Sequence, residues 1–236
     1  MSEARAGTEA DGRDARDADV VSAERPAGLA VHAVVRNRRT DKALDAIRLR
    51  QPSRHFRLVE AGELAAAVTE TEFGTAEMDP AAVRAHAEIV AHLLRRSSVV
   101  PAPFGLRARD EAAVRRFLET QRVPLLEALD FFEDCYELRL HISCVVSDSP
   151  SEATRGMARH VYEDLRRHAR AARILAEGTD SRLLSAAFLI SRSEWIRFVE
   201  HVGDWESRDE AVKMDITGPW AAYDFVRLVG LGGDSV

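Results

Sequence analysis

The chain has 236 residues, a net charge of −6 and a mean hydropathy of −0.23, with 46% hydrophobic and 31% charged residues. This composition is typical of a globular protein with a sizeable core, and it excludes collagen-like, fully disordered and disulfide-stapled small proteins. No apolar run approaches the roughly 20 residues that a membrane helix needs. The N-terminus lacks the apolar core of a secretion signal, which predicts a cytoplasmic protein without membrane contact. The acidic balance argues against binding to nucleic acid, because duplex binders usually carry a basic surface.

The cysteines also fit a cytoplasmic protein. Cys135 and Cys144 fall in one predicted strand, nine residues apart. At about 3.3 Å per residue they are separated by about 30 Å, whereas a disulfide needs Cα atoms within about 7 Å. We therefore predict two reduced thiols, on opposite faces of the strand.

Both ends of the chain differ in composition from the rest. Residues 1–26 contain no aromatic residue, and Gly, Ala, Asp and Arg dominate. Such a segment cannot offset its ordering entropy by burying apolar surface. We predict that residues 1–26 are a disordered acidic tail and that residues 230–236 are a flexible tail.

Residues 27–123 are predicted to form a first, N-terminal α+β domain. Apolar runs predict strands at residues 29–35 and 55–59, and residues 64–68 fit either a strand or a short helix. Asp79 and Pro80 are typical of a helix start, because Asp accepts from free amides and Pro suits the first turn. The further expected elements are a short strand at residues 98–100 and a second helix from Asp110, which Pro124 breaks or restarts.

Residues 124–229 are predicted to form a second α+β domain. Its clearest strand is residues 136–146, where apolar and polar residues alternate with a period of two. A capping box that starts at Ser149 predicts a helix that Gly178 ends. The run 183–190 is typical of a central strand buried on both faces. A helix from Ser193 and a strand at 211–216 complete the order strand, helix, strand, helix, strand, which suggests a ferredoxin-like sandwich.

Acidic residues near the start of the 136–146 strand are the first candidates for chemistry. Glu133, Asp134 and Glu137 cluster at a helix-to-strand junction, and Arg139 and His141 share a strand face with Glu137. Paired carboxylates perform acid–base work when burial raises the pKa of one of them. We favour a solvated junction over catalysis here, and a polar row on the sheet or an ordinary exposed face for His141.

The histidines lack the spacing of a metal site. His86 and His92 do not share a helix face, and His160 and His168 are about two turns apart. No HExxH or paired-cysteine spacing is present. We predict structural histidines, no metal and no cofactor.

Two stiff, aromatic-rich segments, residues 99–105 and 217–226, are the strongest binding candidates. They either lock two domains together or present an anchor to a partner protein, because Trp and Tyr dominate interface energetics. The candidate residues in and beside them are Pro101, Phe104, Gly105, Glu137, Arg139, Gly218, Pro219, Trp220, Tyr223 and Phe225.

These segments together resemble the gas vesicle protein L/F family (GvpL/GvpF). A helix containing His86 leads into a Val-x-Pro-x-x-Phe-Gly stretch at residues 99–105, and the Tyr136-Glu137-Leu138 strand follows. An apolar strand at residues 186–190 precedes a Gly-Pro-Trp block with Tyr, Phe and Val at residues 218–226. The similarity covers most of residues 28–228 in the same order, and the Gly-Pro-Trp block is its most specific part.

The resemblance implies a non-enzymatic accessory or minor structural protein of gas vesicle formation. It implies binding to the main shell subunit (GvpA-like) and to other gas vesicle accessory proteins, by strand addition or by helix-in-groove packing. It also implies two α+β domains, the second a modified ferredoxin-like domain, and a location at the gas vesicle. Two alternatives stay open, because one fold hosts many functions: an enzyme that uses Glu137, Arg139 and His141, or a ligand-sensing module whose aromatic loops close on a small molecule.

Overall fold

The computed structural model of the chain describes residues 27–37, 56–74, 78–147, 149–178 and 180–228. The tails predicted at residues 1–26 and 230–236 lie outside the described residues. The strands are β1 Ala27–Arg36, β2 Phe56–Ala61, β3 Leu64–Glu72, β4 Val99–Pro101, β5 Arg107–Ala108, β6 Cys135–Cys144, β7 Ala171–Glu177, β8 Arg182–Ser191 and β9 Val212–Trp220. The α-helices are α1 Pro80–Leu94, α2 Glu111–Thr120, α3 Arg122–Phe131, α4 Glu152–Leu165 and α5 Trp195–Glu206, with 3-10 turns at Arg166–His168 and Tyr223–Phe225.

The first sheet has the order β2-β3-β1-β4, with β5 paired to the other end of β1. All of its pairs are antiparallel. Residues 64–68, which fitted a strand or a short helix, are the start of β3. Their side chains are all buried, because β3 pairs with β1 on one side and with β2 on the other.

Helix α1 covers one face of this sheet. It begins where the sequence predicts, since the Asp79 side chain accepts hydrogen bonds from the amides of Ala81 (3.0 Å) and Ala82 (3.3 Å). Its apolar side packs with alternate residues of β1 and β3 into the α1 cluster. The buried residues of the α1 cluster are Ala33, Val35, Ala65, Ala67, Ile89, Val90, Leu93, Leu94, Val99 and Ala221.

Helices α2 and α3 cover the opposite face. Asp110 caps α2 by accepting a hydrogen bond from the amide of Ala113 (2.7 Å), and the chain restarts as α3 with Pro124 in its first turn. Buried Leu125 and Leu129 of α3 pack with Val31 and other β1 residues in what we call the α2–α3 cluster. The predicted domain boundary after residue 123 falls inside α3.

The second sheet has the order β7-β8-β6-β9 and is antiparallel throughout. With α4 and α5 it forms the β-α-β-β-α-β pattern of a ferredoxin-like domain, as expected. One predicted helix was wrong at both ends. Its cap is Ser151, whose hydroxyl accepts from the Thr154 amide, and not Ser149; it ends at Leu165 instead of running to Gly178, and β7 follows. The sequence of β7, AARILAE, has good helix formers, but its pairing with β8 at the sheet edge overrides that local preference.

Two helices cover one face of the second sheet. On one face Leu138, Leu140 and Ile142 of β6 pack against α4 and α5 in the α4–α5 cluster. Strand β8 is buried on both faces, as its apolar run predicts.

Cys135 and Cys144 are buried and unpaired in β6, one in the α2–α3 cluster and one in the α4–α5 cluster. Among the described residues, no helix is both long and apolar enough to cross a membrane.

Candidate functional site

The first aromatic-rich segment lies inside the N-terminal domain. Pro101 ends β4 and is buried opposite Ala33. Phe104 packs edge-on against the ring of His86, with 5.8 Å between the ring centroids. Gly105 has φ of +88°, a conformation that glycine adopts without strain, and it turns the chain towards β5. These three candidates therefore belong to the interior of the fold.

A chain of buried hydrogen bonds holds this segment to the sheet and to α1. His86 Nε2 lies 3.1 Å from the carbonyl oxygen of Ala102, and His86 Nδ1 lies 3.0 Å from His32 Nδ1. His32 Nε2 lies 3.0 Å from Thr69 Oγ1. Since a carbonyl only accepts, His86 donates from Nε2, His32 donates from Nδ1, and Thr69 donates to His32 Nε2. Burial lowers the pKa of His86, against the effect of its bond to Ala102, which fits a neutral structural histidine.

The second aromatic-rich segment begins as a strand and not as the loop expected. Residues 217–220 belong to β9, and the Gly218–Pro219 peptide bond is cis. Gly218 has φ of +130°, and a Cβ atom there would lie 2.9 Å from the Glu137 carbonyl oxygen. Glycine is therefore required at this position both for its backbone conformation and for the close approach of β6.

After β9 the segment packs onto the first domain. Ala221 is buried in the α1 cluster and Ala222 in the α2–α3 cluster. Tyr223 packs against the α1 cluster, with its ring centroid 6.5 Å from that of His86, and Phe225 packs against the α2–α3 cluster. This stretch, residues 221–228, connects the second sheet to both cores of the first domain, and we call it the strap.

A buried ionic network joins the strap to β6. Glu137 is 0% exposed and accepts from Arg139 Nε at 2.9 Å and from the Asp224 amide at 2.8 Å. Arg139 Nε also donates to Asp224 Oδ2 at 2.7 Å. Arg173 of β7 donates to the Asp224 carbonyl oxygen at 2.5 Å. The expectation of a solvated junction was wrong for Glu137, because the strap covers it, whereas Glu133 and Asp134 are exposed.

Burial sets the electrostatics of this network. It raises the pKa of Glu137 to about 7, with the Asp224 carboxylate adding to the effect and Arg139 and the Asp224 amide opposing it. Burial also raises the pKa of Tyr223, and the neighbouring Glu137 carboxylate adds to it. The carboxyl group of Glu137 therefore has its pKa near neutral pH instead of in the acid range.

The polar row on β6 is present on the face away from α4 and α5. It continues from Glu137 and Arg139 to His141, whose Nδ1 lies 2.8 Å from Ser185 Oγ on β8. Burial lowers the pKa of His141, and the positive charges of Arg182 and Arg139 lower it further.

Trp220 and Pro219 differ from the other candidates because they face outwards. Trp220 is 40% exposed and ends β9, which lies at the edge of the second sheet. Its indole nitrogen has a weak contact of 3.4 Å with Thr217 Oγ1. Pro219 is exposed as well. The remaining candidates, Pro101, Phe104, Gly105, Glu137, Arg139, Gly218, Tyr223 and Phe225, lie at internal contacts of the fold or of the strap.

Comparison with known proteins identifies the family. The family model described as gas vesicle synthesis protein GvpL/GvpF matches residues 28–155 and 146–227. The chain belongs to the GvpL/GvpF family. Membership assigns this GvpL/GvpF protein to gas vesicle formation, with partners among gas vesicle proteins, and the family is not one of known enzymes.

Solved structures agree with the fold. The chain is similar to the gas vesicle protein GvpF from Anabaena sp. PCC7120, with a TM-score of 0.72 and 14% identity, over 89% of this chain and 100% of that one. It is also similar to GvpF from Microcystis aeruginosa, with a TM-score of 0.68 and 11% identity, over 85% of this chain and 99% of that one. No curated protein sequence matches this chain. The two-domain α+β layout is thus shared with both GvpF structures.

Sequence reasoning missed two members of the ionic network, Asp224 and Arg173. Asp224 had a usable signal, because it is a carboxylate inside the otherwise apolar run of the strap. Arg173 had no signal in the sequence, because its place in the network depends on β7, which the sequence did not predict.

Proposed function

We propose that this GvpL/GvpF protein is a non-enzymatic assembly factor. In this proposal it binds the main gas vesicle shell subunit (GvpA-like) in the cytoplasm while vesicles nucleate or grow. The observation that carries the proposal is the exposed indole of Trp220 at the end of the edge strand β9. Tryptophan is enriched among the residues that dominate interface energies, and here it stands beside an edge strand.

The edge of β9 supports the same proposal. An edge strand presents unpaired backbone N–H and C=O groups, to which a second chain adds by strand pairing. Trp220 lies at one end of that edge, and Met214 and Val212 lie buried nearer the other end. The amides of Val212 and Met214 already donate to Asp209 and Glu206, so a shell subunit would pair with the part of the edge nearer Trp220.

We further propose that the internal candidates hold the two domains together. Glu137 and Arg139 hydrogen-bond the strap at Asp224, and Tyr223 and Phe225 enter the two cores of the first domain. We place the boundary between the domains after Phe132. The strap joins them together with direct contacts, such as that of Leu189 of β8 in the α2–α3 cluster.

This role for Glu137 also favours a non-catalytic protein. A general acid or base must reach a substrate proton. Both carboxylate oxygens of Glu137 are instead bonded to Arg139 and to the Asp224 amide, and the side chain is fully covered. His141, the other acid–base candidate, is engaged with Ser185.

Co-expression with the main shell subunit tests the proposal. We expect the tagged wild-type chain to capture the subunit and Trp220→Ala to lose most of that capture. Phe131→Ala is the matched control, because Phe131 is a similarly exposed aromatic residue (45%) on α3, away from β9. Absence of capture by the wild-type chain, or equal loss in the two variants, would contradict binding through Trp220.

A further inference from the structure

A cluster of three metal-ligating side chains lies in the second domain, apart from the strap and from β9. Asp164 is at the end of α4, His168 is in the 3-10 turn that follows, and His201 is on α5. Each offers a ligand atom, and these atoms all lie within 4.8 Å of one another. The spacing of histidines along single helices does not reveal this group, because Asp164 and His201 lie 37 residues apart in the chain.

The contacts within the cluster orient its ligand atoms. Asp164 Oδ2 lies 2.7 Å from His201 Nε2 and accepts a hydrogen bond from Trp205 Nε1 at 2.9 Å. The ring centroids of His168 and His201 lie 4.8 Å apart, and the ring planes are tilted by 50°. Arg167 pairs with the other oxygen of Asp164, Oδ1, and leaves Oδ2 directed at the histidines.

The donor set selects one class of metal. Two imidazole nitrogens and one carboxylate oxygen suit zinc and similar divalent transition metals, whereas calcium and magnesium prefer oxygen ligands alone. The indole of Trp205 supplies the hydrogen bond that outer residues commonly make to a ligating carboxylate. We propose that Asp164, His168 and His201 bind one divalent cation of the zinc class.

Modest adjustments would accommodate the ion. Tetrahedral zinc with bonds of about 2.0–2.1 Å places two ligand atoms about 3.3 Å apart. His201 Nε2 and Asp164 Oδ2 are 2.7 Å apart, so they separate by about half an ångström as the ion replaces the shared proton. The ligand atoms all lie within 4.8 Å of one another, so the most distant pair would close by up to about 1.5 Å. His168 is exposed, so its ring is free of dense packing on the solvent side.

The fourth coordination position of the proposed ion would be open to solvent. A surface cavity of about 370 Å³ adjoins the cluster and is lined by His168, His201 and Phe198, together with charged side chains. The cationic groups beside it, Arg167 and Arg197, are each paired with a carboxylate, of Asp164 and Glu194. The ion would fasten the end of α4 to α5 and would keep one position for water or an external ligand.

Metal titration of the full-length, untagged protein tests this site. After treatment with a chelator, we expect calorimetry to give one Zn²⁺ per chain, and Co²⁺ to produce visible absorption bands of a four-coordinate site. His168→Ala should weaken Zn²⁺ binding at least tenfold, since loss of even an outer-shell partner costs about 10- to 100-fold in affinity. His168 is exposed, so its variant should fold normally.

Two further variants complete the test. His141→Ala is the control, because His141 lies on β6, on the sheet face away from α4 and α5, and is engaged with Ser185. It should retain the wild-type stoichiometry and affinity. His201→Ala should lose binding while its circular dichroism spectrum stays that of a folded protein. No Zn²⁺ uptake by the wild-type chain at micromolar concentration would overturn the proposal. Unchanged binding in His168→Ala, or equal weakening in His141→Ala, would overturn it as well.

Discussion

The two aromatic-rich segments, residues 99–105 and 217–226, have similar compositions and different surroundings. In the first segment the aromatic ring of Phe104 packs on buried His86, and Pro101 is covered by the sheet. The second segment divides at residue 221: Trp220 faces solvent, and Tyr223 enters the first domain. Proline, glycine and aromatic content therefore predicts a stiff segment, but the neighbouring elements decide which way each ring points.

This difference separates two roles that the sequence presented as alternatives. Locking two domains requires buried contact from both, which the strap has at Ala221, Ala222 and Tyr223. Binding a partner requires exposed apolar surface, which Trp220 has. Substitution of Trp220 and substitution of strap residues should thus affect different properties.

The largest expected effect is that of Gly218→Ala, at the turn from which the strap departs. A Cβ atom there meets the Glu137 carbonyl oxygen at 2.9 Å, and φ of +130° strains any other residue. We expect the free energy of unfolding in urea to fall by about 3 kcal/mol, from backbone strain and overpacking together.

Gly203→Ala is the control for this substitution. Gly203 lies in α5, and nothing lies within 4 Å of a Cβ atom built there. Alanine is the better helix former by about 1 kcal/mol, so this variant should be as stable as the wild type or more so. A Gly218→Ala variant with wild-type stability would show that the close approach of β9 to β6 is not required.

The second prediction concerns pH and Glu137. Because burial raises the pKa of Glu137 from 4.5 to about 7, the folded protein keeps a proton there that the unfolded chain loses in this interval. This group therefore stabilises the fold fully below about pH 4.5, and its contribution falls as pH rises to about 7. The contribution is at most about 3 kcal/mol at 1.36 kcal/mol per unit of pKa.

Glu137→Gln should remove this contribution, since glutamine fills the same space without ionising. Urea unfolding at pH 5 and pH 7.5 should give a smaller loss of stability with pH in Glu137→Gln than in the wild type. Glu133→Gln, which changes an exposed carboxylate, should follow the wild type. If the unfolding free energy of all three proteins depended on pH in the same way, this would contradict the burial of Glu137 beneath the strap.

The third prediction tests the strap itself. Tyr223→Ala removes a half-buried ring from the α1 cluster, and we expect a loss of about 2 kcal/mol in unfolding free energy, below the 3–5 kcal/mol typical of a fully buried aromatic residue. Tyr223→Phe keeps the ring and should lose less than about 1 kcal/mol. If both variants unfold at the same urea concentration as the wild type, the ring does not hold the domains.

The smallest expected effect on stability is that of Trp220→Ala. Its indole is 40% exposed and makes only the weak contact with Thr217. We expect the unfolding free energy to change by less than about 1 kcal/mol, as is usual for surface substitutions. A larger loss would indicate that Trp220 is an internal packing residue.

Much of the fold follows from local patterns in the sequence. The alternation in β6, the apolar run of β8 and the Asp79-Pro80 start of α1 each determine one element without reference to the rest. Strand β7 was missed, because its residues favour a helix and only pairing with β8 makes them a strand.

The site was less predictable than the fold. The order of motifs identified the family and the candidate residues, but burial of Glu137 depends on a strap that returns from 87 residues further along the chain. The cluster of Asp164, His168 and His201 likewise forms only when α4 and α5 pack side by side. Contacts of this kind have no local signature, since they depend on tertiary packing.

The division of roles at residue 221 is tested most directly by measuring shell-subunit capture and unfolding free energy on the same two variants. We expect Trp220→Ala to lose capture and keep its stability, and Tyr223→Ala to keep capture and lose about 2 kcal/mol of stability. If a folded Trp220→Ala variant captured as much shell subunit as the wild type, this would contradict our central claim that the exposed indole is the anchor for the shell subunit.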